Sequence, residues 1–229
     1  MPRSLVLYAS SETVEQLRKQ AEELSAADKV KPYTFSFAHK SERANSTAGT
    51  HRIQTDLLRA RLTEFRSFGL APILDDLLAK GLLTTVTEAD REQRDTSFEA
   101  LMGEADTTQR VAVMQFSSPT IIGLGGYTVC FPVLPLMLSY YIHMWNTFSG
   151  MKFMRGPDIL DHVRMGEFKV SCVQTEYGAG FQGWVALEMS KGRPEEDIRM
   201  FNTLLDFAFY CGTGLHTEKG LGQTDRKKQ

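Results

Sequence analysis

The stretch "EADREQRDTSFEALMGEADTTQRVAVMQF", residues 88–116, decides how the chain is divided. From Glu88 to Asp106 it carries seven acids against two arginines, and it then turns into "RVAVMQF", an alternating apolar run of strand type. What precedes the acidic segment reads as strand, helix, strand, strand, helix, strand. "SLVLYA" (Ser4 to Ala9) is β-rich. Ser11 stands before "ETVEQLRKQAEEL", where Val14, Leu17, Ala21 and Leu24 share one helical face. "YTFSFA" and "DLLRARLTEF" alternate as half-buried strands do, "LAPILDDLLAKG" is a short helix closed by Gly81, and "LLTTVT" is a strand. In "DLLRARLTEF" Leu58, Ala60 and Leu62 face one way, with Leu57, Arg59, Arg61 and Thr63 on the other side.

Beyond the acidic connector, which has room for one or two helical turns, the order repeats. "RVAVMQF" is a strand and "LPLMLSYYIHMWNTF" a helix. "FKVSCVQTEY" and "GFQGWVALEM" are two strands joined through Gly178 and Gly180. "PEEDIRMFNTLLDFAFY" is a helix with Pro194 at its start and acids in its first turn, and "LGQTDRK" is a short last strand. Two βαββαβ units in tandem, residues 1–107 and 108–229, predict an α+β fold of two ferredoxin-like domains. Helices cover one face of each sheet and the other face is left free. RNA-recognition modules use this topology, but the topology alone names no function.

The bulk numbers exclude several classes. The 229 residues carry a formal net charge of −2, so no global basic field advertises nucleic acid, and any such contact must be local. Cys130, Cys172 and Cys211 make neither C-x-x-C nor zinc spacing and read as small buried hydrophobes of a reducing, cytoplasmic setting. The start "MPRSLVLYASSETVEQ" lacks the pattern of a signal peptide. Val111 to Met151 contains no Asp, Glu, Lys or Arg, yet prolines and glycines break it below the roughly 20 apolar residues that spanning needs. It reads as a buried strand, a turn and a buried helix, with no membrane partner. No metal or cofactor motif is visible.

The strongest local signal is "FAFYCGTGLHTEKGLGQTDRKK", residues 207–228. Gly212 could cap the helix before it. Gly214, Gly220 and Gly222 ask for another reason, and close backbone approach to a phosphate-rich ligand is one, with His216 and Lys219 supplying charge. The pattern is not GxxxxGK[ST], and it precedes a strand where a dinucleotide fingerprint opens a helix.

Four segments together resemble the CRISPR-associated endoribonucleases of the RAMP superfamily that process precursor CRISPR RNA. "YCGTGLHTEKGLGQ" follows that family's Y-C-G-x-G-x-x-T-x-x-G-x-G-Q loop. "GFQGWVALEM", "MQFSSPT" and "KPYTFSF" follow, in order of position from the C-terminal side, its Gly-Phe-x-Gly, Phe-x-Ser-Pro-Thr and Lys-x-aromatic-Thr-x-Ser strands. The resemblance implies tandem ferredoxin-like domains and metal-independent cleavage within repeat RNA. The ribose 2′-hydroxyl attacks the adjacent phosphate, leaving a 2′,3′-cyclic phosphate and a 5′-hydroxyl. It also implies repeat RNA as partner and no cofactor; a non-cleaving relative would act with CRISPR effector-complex subunits, and exposed sheet or helix surfaces leave a homodimer open.

Such chemistry needs a base for the 2′-hydroxyl, an acid for the 5′-oxygen and a cation for the phosphorane. Lys31 and Tyr33 match the family. The histidine that many members carry before that strand does not: Leu24, Ser25, Ala26 and Ala27 stand there. Another histidine substitutes, or the protein cleaves slowly without one, or it binds repeat RNA without cutting; an engineered inactivating change is a fourth explanation. His39 and His51, which flank the polar loop after "YTFSF", are the candidate substitutes, giving a catalytic set of Lys31, Tyr33, His39 and His51. His143 reads as a core residue and His162 as a surface one.

RNA contacts are expected from Lys40, Arg43, Arg52, Arg59 and Arg61 in the basic segment, from Lys152 and Arg155 in "GMKFMRG", and from Gly212, Gly214, His216, Thr217, Lys219, Gly220 and Gly222 in the glycine loop. A tandem ferredoxin-like ligand sensor is the competing reading, and the glycine loop argues against it.

Overall fold

In a computed structural model, the described residues are 2–39, 57–84, 94–153 and 159–227. Strand β1 (Arg3–Ser10) leads into helix α1 (Ser11–Leu24), followed by β2 (Tyr33–His39), β3 (Leu57–Glu64), α2 (Ala71–Ala79) and β4 (Leu83–Thr84). β1, β2, β3 and β4 form an antiparallel sheet in the order β2-β3-β1-β4. That is the ferredoxin-like order. A two-residue strand β5 (Arg94–Asp95) adds to β1, and α3 (Phe98–Glu104) supplies the helical turns expected of the connector.

The second unit runs β6 (Val111–Thr120), a small hairpin of β7 (Ile122–Leu124) and β8 (Tyr127–Val129), α4 (Leu134–Phe148), β9 (Val163–Thr175), β10 (Gly178–Met189), α5 (Glu195–Cys211) and β11 (Thr224–Lys227). Its sheet order is β11-β6-β10-β9, again antiparallel and again ferredoxin-like. The turn expected between β6 and the next helix, α4, is the β7–β8 hairpin. Gly125 and Gly126 at φ 58 and 85 supply the two positive-φ positions of a two-residue hairpin loop.

Local chemistry accounts for the helix ends. The Ser10 side chain accepts a hydrogen bond from the Thr13 amide at the start of α1. At its end the Ser25 hydroxyl donates to the Ala21 carbonyl at 2.8 Å. The buried stripe of α1 is Thr13, Val14, Leu17 and Ala21; Leu24, expected on it, is 46% exposed.

Each unit has its own core. Leu17, Tyr33, Phe35, Leu62 and Leu77 anchor the first, and Trp145, Tyr141, Phe181, Phe201 and Phe207 the second. Two aromatic side chains from the first half reach the second core. Phe65, just after β3, stacks on Phe148 at 4.9 Å and touches Phe207. Phe98 of α3 meets Trp145 edge to face at 5.1 Å. Burying a phenylalanine stabilises by about 1.5–3 kcal/mol, so these two rings hold the halves together as firmly as ordinary core contacts do. Among the described residues no helix is long and apolar enough to cross a membrane.

Candidate nucleic-acid interface

The glycine loop leaves α5 at Gly212 and returns into β11, and it is braced from behind by the protein itself. The Thr213 amide donates to the Gly222 carbonyl at 2.8 Å, and the Gly222 amide to the Pro119 carbonyl at 2.9 Å. The Leu215 amide reaches the Ile121 carbonyl at 2.9 Å, and the Gln223 amide the Ser118 hydroxyl at 2.8 Å. The Tyr141 and Thr213 hydroxyls lie 2.6 Å apart, as do those of Thr213 and Thr224. Burial pushes the Tyr141 phenol well up, the Thr213 hydroxyl only partly offsetting it, so it stays neutral and available as a partner.

Gly214 and Gly222 show why this loop needs glycine. Both have φ in the left-handed range, 86 and 69. A Cβ on Gly214 would lie 2.2 Å from the Ile121 carbonyl oxygen, and one on Gly222 2.1 Å from that of Thr213. An intramolecular cause alone requires these glycines: they let the loop lie against Ile121 and on itself.

The outward side of the loop carries His216, Glu218 and Lys219, the last two in a single 3-10 turn, Thr217–Lys219, that packs on β2. His216 has φ 62, the one positive φ of a non-glycine residue among the described residues. Its Nδ1 is 3.7 Å from Glu218 Oε1. Its ring lies 4.6 Å from that of Tyr177, at 31°, and Lys219 Nζ stands 4.8 Å from the same Tyr177 ring centre. Tyr177 comes from the β9–β10 turn. Helix α1 faces this cluster with Arg18, which holds Glu15 at 2.5 Å and Glu22 at 3.6 Å. The hydrogen bond to Glu15 raises the Arg18 guanidinium above its usual value and holds the Glu15 carboxyl below its own.

The expected catalytic residues do not gather. Lys31 Nζ donates to the Ser25 carbonyl at 2.9 Å, at the end of α1. Tyr33 is 1% exposed and stacks on Phe68 at 5.2 Å. Burial pushes its phenol up to about 12, with the Ser25 hydrogen bond working against the shift and the Glu218 carboxylate adding to it. This places Tyr33 with the packing residues. His39 ends β2, six residues along, where its backbone faces Leu58. At about 3.3 Å per residue that is about 20 Å from Tyr33, too far for Lys31 and His39 to share one phosphate. His51 lies outside the described residues.

The expected RNA contacts are also redistributed. Arg61 is turned inward: its Nη1 is 3.0 Å from Asp225 Oδ1, and its guanidinium lies 3.9 Å over the Phe209 ring. Thr217 is buried against the Tyr140 hydroxyl. Gly212, at φ 66, caps α5, and Gly220 closes the 3-10 turn. Lys152 is exposed and Lys219 half-buried. Arg59 lies on β3, opposite Tyr8 and Ala38. Lys40, Arg43, Arg52 and Arg155 lie outside the described residues. His143 is exposed on α4, not in the core, and Cys130 and Cys172 are exposed where burial was expected; Cys211 is buried.

Sequence reasoning missed Tyr177 and Arg18. An aromatic residue directly before the Gly178-Ala179-Gly180 turn was the available signal for the first. Arg18 sits on the polar side of an amphipathic helix and carried none.

A model of the family described as CRISPR-associated endoribonuclease Cas6 matches residues 114–224. No protein of curated function matches the sequence. Among solved structures, the chain is similar to the "Cas6 (TTHA0078) product complex", with TM-score 0.74 and 20% identity over 100% of both chains. It is also similar to the "Cas6 (TTHA0078) substrate mimic complex", with TM-score 0.74 and 19% identity over 99% of each. Thermus thermophilus Cas6 (TTHB231) follows the same fold, with TM-score 0.68 and 19% identity over 99% of this chain and 98% of that one. A chain of the "Partial Cas6-RT-Cas1--Cas2 complex" contains the fold in 46% of its length, with TM-score 0.66 and 11% identity.

Proposed function

We propose, for a chain whose residues 114–224 match the model of the CRISPR-associated endoribonuclease Cas6 family, that it cuts CRISPR repeat RNA by attack of the 2′-hydroxyl on the adjacent phosphate. The products are a 2′,3′-cyclic phosphate and a 5′-hydroxyl, and the reaction needs no metal ion. The observation that carries this reading is the outward side of the glycine loop. Tyr177, His216 and Lys219 form an aromatic and cationic group there, and the turn that carries Lys219 packs on β2, which starts two residues after Lys31. A π face for a base, a cation for a phosphate and an imidazole for a proton are what in-line transesterification asks of a protein.

Lys31 and Lys219 are the cations that approach the phosphorane in this reading. His39 and His51 are the further histidines to be tested, and the distance along β2 separates His39 from the Lys31 end. Assembly with other CRISPR proteins belongs to the same proposal. It is supported by the named complexes that contain the fold within a longer chain.

The second reading is a relative that binds repeat RNA without cutting it, and it is favoured by Leu24, Ser25, Ala26 and Ala27 where a histidine is usual. One experiment separates the two. Repeat RNA from the host's own CRISPR array is incubated with the protein in EDTA, beside the same RNA carrying a single 2′-deoxy ribose at the cut site. The first reading requires a cyclic phosphate end on the unmodified RNA and no cut in the deoxy RNA, both bound equally. Tight binding with neither cut supports the second reading.

A further inference from the structure

Resting on the endoribonuclease reading above, we infer that His216 is the general acid of the cleavage, delivering a proton from Nε2 to the departing 5′-oxygen. A left-handed backbone at a side chain larger than asparagine costs energy and persists where the surroundings hold it in place. It marks a residue whose position matters more than its comfort. At His216 that cost sets the imidazole on the outer side of the glycine loop, with 33% of the side chain open to solvent. Glu218 Oε1 lies 3.7 Å from Nδ1, so Nε2 is the ring nitrogen away from that carboxylate. Tyr177 flanks the ring at 4.6 Å and limits how it can rotate. Lys219, the next cation in the loop, stands over the same Tyr177 ring, ready for a non-bridging phosphate oxygen.

The position fits the gap in the first half. The 3-10 turn that follows His216 packs on β2. Tyr33, at the start of β2, hydrogen-bonds Ser25 and lies within the field of Glu218, so Ser25 and Glu218 both come near one tyrosine. Ser25 belongs to the Leu24–Ala27 segment that lacks the histidine usual in the family. The second half thus supplies, from the glycine loop, the imidazole that the first half lacks. The charged and titratable groups facing His216 are Glu218 and Lys219 from its own loop, Glu176 and Tyr177 from the β9–β10 turn, and Glu15, Arg18 and Glu22 from α1 around Tyr177.

In the step itself the 2′-hydroxyl gives its proton to water as its oxygen bonds to phosphorus. The bond from phosphorus to the 5′-oxygen breaks, and the electron pair left on that oxygen takes the proton from Nε2. The neutral imidazole regains a proton from solvent.

His216→Asn and His216→Gly test this, because both residues enter the left-handed region readily. Single-turnover cleavage of saturating host repeat RNA is measured for each variant and for the unaltered protein. The same RNA is used in parallel with sulfur replacing the bridging 5′-oxygen at the cut site. A thiolate leaves without a proton. Both variants should cut the all-oxygen RNA about 10²–10⁴ times more slowly, cut the sulfur RNA at the rate of the unaltered protein, and bind both RNAs unchanged. Equal slowing on the two RNAs, or no slowing on either, overturns the assignment while leaving the endoribonuclease reading intact. If the unaltered protein cuts neither RNA, that reading fails and the assignment falls with it.

Discussion

Arg61 Nη1 lies 3.0 Å from Asp225 Oδ1, and the pair joins β3 of the first sheet to β11 of the second. The guanidinium also reaches the Thr224 carbonyl and covers the Phe209 ring at 3.9 Å. A charge this enclosed is tolerable because each of its faces is met, and removing its stem leaves Asp225 without its partner. Arg61→Ala should lower unfolding stability by about 2–3 kcal/mol, read as a shift of the urea midpoint at unchanged slope. An unshifted midpoint would show that the pair holds nothing.

The outward cations should behave in the opposite way. Each phosphate contact adds about one unit to the dependence of log affinity on log salt. Lys219→Ala and Lys152→Ala should each flatten that dependence for repeat RNA by about one unit, with little loss of stability. Arg61→Ala, in its folded fraction, should leave the dependence as it was. Equal slopes for all four proteins would remove Lys219 and Lys152 from the RNA surface.

Glycine substitutions should divide by what lies behind them. Gly214→Val and Gly222→Val each force a Cβ against a carbonyl oxygen at 2.2 and 2.1 Å, and should cost at least about 3 kcal/mol. Gly192 shares the positive φ, 78, but a Cβ there meets nothing within 4 Å. Gly192→Ala should cost only about 1 kcal/mol. Chemical denaturation of the three variants checks the order, and near-equal losses would contradict it.

Stability should fall in alkali. Tyr33 has its folded pKa raised from 10.0 to about 12 by burial, and the phenol of Tyr141 is pushed up further still. A group whose folded value is raised stays protonated in the native state after the unfolded chain has lost its proton. Its contribution is whole below pH 10 and is lost as pH climbs from there through about 12. Denaturation midpoints measured from pH 8 to pH 11.5 should drop steeply above pH 10, and less steeply in Tyr33→Phe. Identical alkaline profiles would place the Tyr33 hydroxyl in solvent.

Most of the fold was legible because its elements are periodic. The alternation in "RVAVMQF" and the apolar face of Ile198, Phe201, Leu205 and Ala208 each announce one element, and two βαββαβ runs admit few arrangements. What escaped depends on distance across the fold. Arg59 and Arg61 look alike as alternate residues of one strand, yet only the position of Asp225 and Phe209, some 150 residues later, determines where Arg61 turns. Lys31, Tyr33 and His39 are close in sequence and look like one site, but an extended strand sets its two ends far apart. The reverse holds for Tyr177 and His216, which are remote in sequence and stacked in space. Leu24 continues the helical stripe on paper, but α1 ends there and its side chain faces solvent.

The bracing of the glycine loop has a consequence for how its contacts can change. Its path is dictated from the inner side, by Pro119, Ile121, Ser118 and the hydroxyls of Tyr141 and Thr224. On the reading proposed above, binding RNA therefore asks for little new ordering of the chain, and less of the interaction free energy is consumed in freezing it. It also separates two kinds of position. Residues 212, 214 and 222 hold the frame and admit almost no replacement, whereas Leu215, Glu218 and Lys219 ride on it and can be exchanged without disturbing the frame. A lineage could retune which RNA it holds by altering those outward side chains alone.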